Sequence, residues 1–200
     1  MLRRVPTLWT DTIAAHRRQV RDAILDTTAA LAAEHGLLAV TMSRIAEQTG
    51  IGRATLYKYF SGVKEILHAW HDRQIQAHLT HLSEIHGRHG PARNRLTGVL
   101  QAYADIQWQR RDHAAGPHGD ELAAFLHRDA RLAPAEHQLY TMVRDLLAEA
   151  AAAGDVRADI APDELAVFCL HALDAAASLS SKAAVRRLVQ LTTDGLQPPA

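Results

Sequence analysis

A single cysteine, Cys169, stands in 200 residues. No disulfide can form within the chain, and such usage fits the reducing interior of a cell. Aromatic residues make up only 5 % of the sequence. No apolar run approaches the ~20 residues that a membrane-spanning helix needs, so no membrane partner is expected. The opening segment, Met1-Leu-Arg-Arg-Val-Pro-Thr-Leu-Trp9, has two positive charges but no long apolar stretch and no small-residue cleavage site, which argues against a secretory signal. The expected location is cytoplasmic. Enzyme motifs are missing too: there is no glycine-rich phosphate loop, no Gly-x-Ser-x-Gly elbow and no His-Glu-x-x-His pair, and Cys169 lies in an apolar stretch. A non-enzyme without cofactors is the expectation, and a helical enzyme lacking any recognisable motif is the rival from another class.

Net charge is zero, with 22 Lys and Arg against 22 Asp and Glu, but it is unevenly spread. Residues 1–64 hold nine basic against five acidic side chains, and residues 65–200 hold 13 against 17. A basic end attracts a phosphate backbone while an acidic body is kept off it. An imbalance this small also arises by chance.

Strand-like alternation is hard to find and helical spacing is everywhere, so the fold class is all-α. The first helix is expected over about Asp11–His35, with Val20, Ile24, Thr27 or Thr28, and Leu31 inward and Gly36 as its stop. Two short helices follow. Met42, Ile45, Ala46 and Thr49 fall at i, i+3, i+4 and i+7, and Gly50 comes where a left-handed residue ends a helix cheaply. The next helix opens near Gly52 or Arg53 and turns Leu56 and Phe60 inward, leaving Arg53, Thr55, Tyr57 and Lys58 outside. Ala46 is small where the pair must cross, and Ile51 plugs the turn. This is helix-turn-helix geometry, whose second helix enters a DNA major groove.

A fourth helix is expected over 63–86, broken by Gly87-Arg-His-Gly-Pro91, and a fifth over about Ala92–Arg111 with a loop from Asp112 to Gly119. A short sixth covers about Asp120–Arg128. The seventh opens at Pro134 and ends at Gly154, the eighth opens at Pro162, and the ninth runs over about Ser181–Thr193. The eighth is apolar almost all round, from Leu165 through Ala177, so it must be covered on more than one side.

The motif Thr41, Ile45-Ala46, Gly50-Ile51, Thr55-Leu56-Tyr57-Lys58-Tyr59-Phe60, followed by Lys64-Glu65 and Leu67, resembles the tetracycline-repressor (TetR) family of bacterial regulators. The resemblance is close from residue 17 to about 75. Beyond that it extends to the helical plan and to Gly154-Asp-Val-Arg-Ala-Asp-Ile-Ala-Pro162. Two departures stand out. The residue before the recognition helix, often Ser in this family, is Gly52, and one extra residue separates Phe60 from Lys64.

What the resemblance implies is a nine-helix TetR-like fold. Residues 12–62 would form the N-terminal helix-turn-helix DNA-binding domain, and residues 63–200 a helical effector and dimerisation domain, with the fourth helix connecting them. Thr41, Tyr57, Tyr59 and Lys64 would then position the protein on phosphates. Arg53, Ala54, Thr55 and Lys58 would read bases, Arg44 would serve either way, and Gly52 would cap the reading helix. Tyr59 has a second reading, a half-buried residue packed near Leu56. Arg3 and Arg4 read as a solvated terminus ahead of a minor-groove arm.

The family's effector cavity would here draw on Trp70, Tyr103, Trp108, Phe125, His127, Met142, Phe168 and His171, each of which serves equally as packing. The eighth and ninth helices look like the family's four-helix dimer interface, through Phe168, Ala172, Leu173, Ala176, Val185, Leu188 and Val189. The competing reading makes the eighth helix central to one subunit's own core. The expected partners are an operator in double-stranded DNA, an unknown small-molecule effector and a second copy of the chain.

Six of the 13 histidines lie between residues 68 and 89: His68, His71, His78, His81, His86 and His89. Pairs three apart share a helical face, but no further ligands converge on them, so a solvated polar face is expected and no metal. The function expected is a sequence-specific transcriptional regulator, a repressor released from a palindromic operator by its effector. A DNA-binding protein with no effector is the third reading.

Overall fold

The computed structural model describes residues 8–114 and 132–199. Among them are eight α-helices: α1 Leu8–His35, α2 Met42–Thr49, α3 Arg53–Tyr59, α4 Val63–His86, α5 Ala92–Ala114, α6 Ala133–Ala152, α7 Pro162–Asp174 and α8 Lys182–Asp194. The expected sixth helix over Asp120–Arg128, with Phe125 and His127, lies outside the described residues, as do Arg3 and Arg4. Three boundaries differ from the sequence reading. The first helix begins earlier, at Leu8; the fifth runs on to Ala114, through residues expected to be loop; and the eighth expected helix is α7 only as far as Asp174, after which Ala175–Ser178 tighten into a 3₁₀ turn. Alanines can follow either winding, so composition does not mark that change.

The chain forms two compact units, the first reaching Arg73 and the second taking up from Gln74, so that the division falls inside α4. The first unit has its own core. Ile24, Leu25, Leu31 and Ala32 of α1 meet Ile45 and Ala46 of α2, Leu56 and Phe60 at α3, and Ile66 and Leu67 of α4. Each large side chain so buried contributes about 1.5–3 kcal/mol. Thr28, rather than Thr27, is the fully buried threonine, and its hydroxyl donates to the Ile24 carbonyl at 2.7 Å, which removes the cost of burying it. Arg73 of α4 pairs with Asp22 at 3.0 Å and with Asp26, both on α1. Both carboxylates are half exposed, so these pairs fix register more than they add stability.

The second unit is built around α5, which touches α6, α7, the 3₁₀ turn and α8. Leu96, Val99 and Leu100 of α5 pack with Leu79, Leu82 and Ile85 of α4, Val143, Leu146 and Leu147 of α6, and Leu165, Cys169 and Leu173 of α7. At Gly98 of α5 an added Cβ would lie 2.9 Å from Ile85 Cγ2 of α4. Helices α7 and α8 form an antiparallel pair. The Arg157 N–H, just ahead of α7, donates to the Leu196 carbonyl just beyond α8 at 2.8 Å, so the start of one helix lies by the end of the other.

Candidate nucleic-acid interface

Thr41 has an extended backbone and its Oγ1 accepts the Arg44 N–H at 3.2 Å, which caps α2. At the other end Gly50 takes φ 68°, and the N–H of Ile51 reaches back to the Ala46 carbonyl at 3.1 Å. Any residue with a Cβ is strained in that left-handed conformation, so the glycine sets the sharp turn. Thr49 donates its hydroxyl to the Ile45 carbonyl at 2.7 Å and is half-buried, while Met42, Ile45 and Ala46 take the core positions.

Helix α3 is only seven residues long, too short to hold by propensity. Its inward residues hold it instead: Leu56 is fully buried and Phe60 nearly so, with the Arg21 guanidinium 5.3 Å from the Phe60 ring centroid. On the outward face Arg53, Ala54, Thr55 and Lys58 are exposed, and Tyr57 keeps 49 % of its surface in solvent. Gly52 is the N-cap, extended at φ −66° and ψ 141°, with no side chain to bond the helix. Thr41 and Lys64 are exposed and Arg44 partly so. Tyr59 packs partly buried against the first unit's core, the alternative that its spacing left open.

One feature near the interface was missed. Glu65 Oε2 accepts from both the backbone N–H and the hydroxyl of Ser61, each at 2.7 Å, and these two bonds hold its carboxyl below the usual range. They clamp the turn that carries the extra residue ahead of Lys64. A Ser followed four residues later by Glu at a helix start was the available signal, one residue wider than an ordinary capping box.

Residues 24–70 match the sequence model described as bacterial regulatory proteins, tetR family, and residues 98–198, half of the chain, match that described as transcriptional regulator SbtR-like, C-terminal domain. The chain belongs to the TetR family. It is a DNA-binding transcriptional regulator and not an enzyme. No curated protein matches its sequence.

The TetR fold is seen throughout in solved structures. A TetR/AcrR-family regulator from Thermobifida fusca superposes with a TM-score of 0.71 at 20 % identity, covering 88 % of this chain and 97 % of that one. For the ketosteroid transcriptional regulator KstR2 of Mycobacterium tuberculosis the values are 0.64, 19 %, 88 % and 94 %. For the regulator FadR of Bacillus subtilis in complex with stearoyl-CoA they are 0.61, 15 %, 88 % and 98 %.

In this TetR chain the residues expected to line an effector cavity are dispersed. Trp70 packs half-buried against the core of the first unit. Tyr103 and Trp108 pack against the core of the second and Met142 is buried within it, but Phe168 is 51 % exposed and His171 is exposed. The polar atoms there are matched internally. Tyr103 donates its hydroxyl to Asp174 Oδ1 at 2.6 Å, Gln107 Nε2 donates to the same oxygen at 2.5 Å, and Trp108 Nε1 donates to the Leu179 carbonyl at 3.1 Å. Burial, and then the Asp174 carboxylate, push the Tyr103 phenol well above its ordinary range. A small cleft, with only about 10 Å³ of room for the centre of a water-sized molecule, occurs elsewhere, between Arg93, Leu96 and Thr97 on one side and Asp155, Val156, Thr193 and Leu196 on the other.

The interface expectation also needs correcting. Leu173, Ala176, Val185 and Val189 are buried in the subunit's own core, which covers α7 on one side. Leu188 and Ala172 are half-buried, and of the seven expected residues Phe168 is the one that is mainly in solvent. Exposed instead are Val167 beside it and Leu191 on α8, at 48 % and 71 %. Four of the six clustered histidines, His68, His71, His78 and His86, are half-buried rather than solvated, and only His81 and His89 are exposed. Among the described residues no group of three His, Cys, Asp or Glu is placed to hold a metal ion, and no helix is long and apolar enough to cross a membrane.

Proposed function

We propose that this regulator is a repressor that binds a palindromic operator as a two-fold dimer and lets go when a small molecule binds its second unit. The supporting observation is the outward face of α3. Arg53, Ala54, Thr55 and Lys58 stand exposed in two helical turns while Leu56 and Phe60 anchor the same helix from below. A guanidinium suits guanine O6 and N7, and small methyl-bearing side chains suit the thymine methyl. Thr41, Tyr57 and Lys64 supply hydroxyls and an ammonium for phosphates, and Tyr59 has only its partly exposed edge to offer.

A two-fold assembly places two such helices on half-sites a whole number of helical turns apart, so the operator reads the same on both strands. Exposed Phe168, Val167 and Leu191, all on the last two helices, support the dimer, because large apolar side chains are ordinarily kept out of solvent.

Members of the family bind DNA operators and small-molecule effectors. The effector residues proposed here are Tyr103 and Trp108, whose apolar bodies border the second unit's core, and Met142 within it. The test begins with selection of bound sequences from a random DNA pool, which should return an inverted repeat. A ligand library, including fatty acyl-CoAs and steroids, is then screened for compounds that raise the melting temperature and release that DNA together. Linkage requires the coupling to run both ways. Ligands that stabilise the protein yet never loosen it from DNA would remove the effector role. The internal pairing of Tyr103, Gln107 and Trp108 favours the second reading, a constitutive DNA-binding regulator, and the same screen separates the two.

A further inference from the structure

The inward stripe of α1 changes character half-way along the helix. Arg17, Arg21, Ile24 and Thr28 fall at i, i+4, i+7 and i+11, so all four leave α1 in nearly the same direction. Ile24 and Thr28 are fully buried, yet Arg17 and Arg21 on the same stripe are exposed, with Arg18 exposed beside them. The helix therefore overhangs the end of the first unit's core.

Contacts further along locate the overhang. Asp22 and Asp26 of α1 meet Arg73, in the middle of α4. Arg21 lies over the Phe60 ring, 5.3 Å from its centroid, and near enough to Glu65 at the start of α4 to act on its charge. Followed backward, α1 thus leads from the middle of α4 to its beginning. Arg17 comes one turn later, about 6 Å further along the axis, and so reaches the end of α4 that carries Lys64. The acidic groups of this region are engaged: Asp22 and Asp26 by Arg73, and Glu65 by Ser61. Among the described residues no carboxylate forms an ion pair with Arg17 or Arg18. Like charges one turn apart weaken a helix, and a bound anion would relieve this pair.

We propose that Arg17 and Arg21 are a second grip on duplex DNA, holding the phosphate backbone beside the groove that α3 enters and continuing the line begun by Lys64. This rests on α3 as the reading helix and adds a contact outside the helix-turn-helix. A guanidinium meets two phosphate oxygens at once, and such contacts position a protein without reading sequence.

Salt-dependent titration tests it. One phosphate contact releases about 0.9 of a counterion, so Arg17→Gln should weaken binding by roughly eightfold per half-site at about 0.1 M salt and lower the salt slope by about 0.9 per copy. The loss should be the same on the selected operator and on random duplex. Arg17→Lys should keep the slope, which counts charges. Arg88→Gln, which removes the same charge from the second unit, should change neither quantity. Arg21 also covers Phe60, so Arg21→Gln should lower the melting temperature as well, and Arg17 carries the decision. Operators with a single methylphosphonate, moved along the backbone, should include one position that weakens wild type and costs Arg17→Gln nothing further. Unchanged affinity and slope for Arg17→Gln would overturn the grip and leave the stripe to another anionic partner. A loss confined to the selected sequence would make Arg17 a base reader and overturn it too. If Arg17→Gln behaves as expected while Arg53→Ala leaves sequence preference intact, the grip stands and the reading of α3 falls.

Discussion

The carboxylate of Glu65 holds Ser61 by two bonds at once, from its N–H and its hydroxyl, each at 2.7 Å. The two residues span the turn between α3 and α4, so the clamp sets where the reading helix ends and where Lys64 begins. Both bonds favour the ionised carboxyl and lower its pKa from 4.5. A carboxyl depressed on folding contributes stability that is present above its unfolded value and is lost as pH falls through the folded one. Glu65→Gln should therefore unfold at lower urea than wild type at pH 7, with the gap closing as the pH drops below about 4.5. A gap constant from pH 7 to 3 would show that the clamp does not depend on the charge.

Arg53→Ala should cost about 1–3 kcal/mol at the selected operator and relax preference at one base pair per half-site. Tyr57→Phe should weaken all sequences alike. Competition titrations with single-base operator variants distinguish the two. An equal loss on specific and random DNA for Arg53→Ala would move that residue to the phosphate-contacting group.

Gly52→Ser should be tolerated and should stabilise the first unit by a few tenths of a kcal/mol. The backbone at this N-cap is already extended, and a new Cβ would come no closer than 3.9 Å to Thr55 Oγ1. The added hydroxyl gives the helix the acceptor it lacks and sets a donor beside the phosphates. Operator affinity should rise without a change in preferred sequence, as fluorescence anisotropy would register.

Leu173→Glu and Phe168→Glu should fail in different ways. Leu173 is fully buried, and an ionised carboxylate there meets only apolar neighbours, at a cost of several kcal/mol. Circular dichroism should show lost helicity. Phe168→Glu should keep its helicity and sediment as a monomer.

Cys169 is buried, and burial pushes its thiol up to about 12. Iodoacetamide at pH 8 should leave it unmodified in the folded protein and label it in urea, so mass spectrometry can follow unfolding of the second unit at this atom. Rapid labelling without denaturant would mean that α7 opens readily.

The helix-turn-helix was legible because every signal in it is local. The i, i+4 spacing of Leu56 and Phe60, the left-handed Gly50 and the capping Thr41 all act within one or two turns. The boundaries of α4 and α6 were equally plain, marked by Gly87 and by Pro134 and Gly154. The faces of α7 were not. A helix apolar all round says that something covers it, but Leu173 and Phe168 are alike in hydropathy and only the tertiary packing decides which of them meets α5 and which meets solvent. Tyr103 and Asp174 lie 71 positions apart, and no spacing rule joins them. The aromatic residues proposed as cavity walls suffered from the same blindness, since Trp70 turned out to serve the core of a different unit.

The contact between Gly98 and Ile85 has a consequence for how this sequence can vary. Every single-base change of a glycine codon that alters the residue adds at least one carbon, and here that carbon would lie 2.9 Å from a methyl group fixed to a β-branched, buried side chain. Position 98 thus has no silent amino-acid neighbour one mutation away. A compatible change must come with a smaller residue at position 85, so a saturation library carried through a selection for folded protein should retain substitutions at the two positions as pairs and discard them singly.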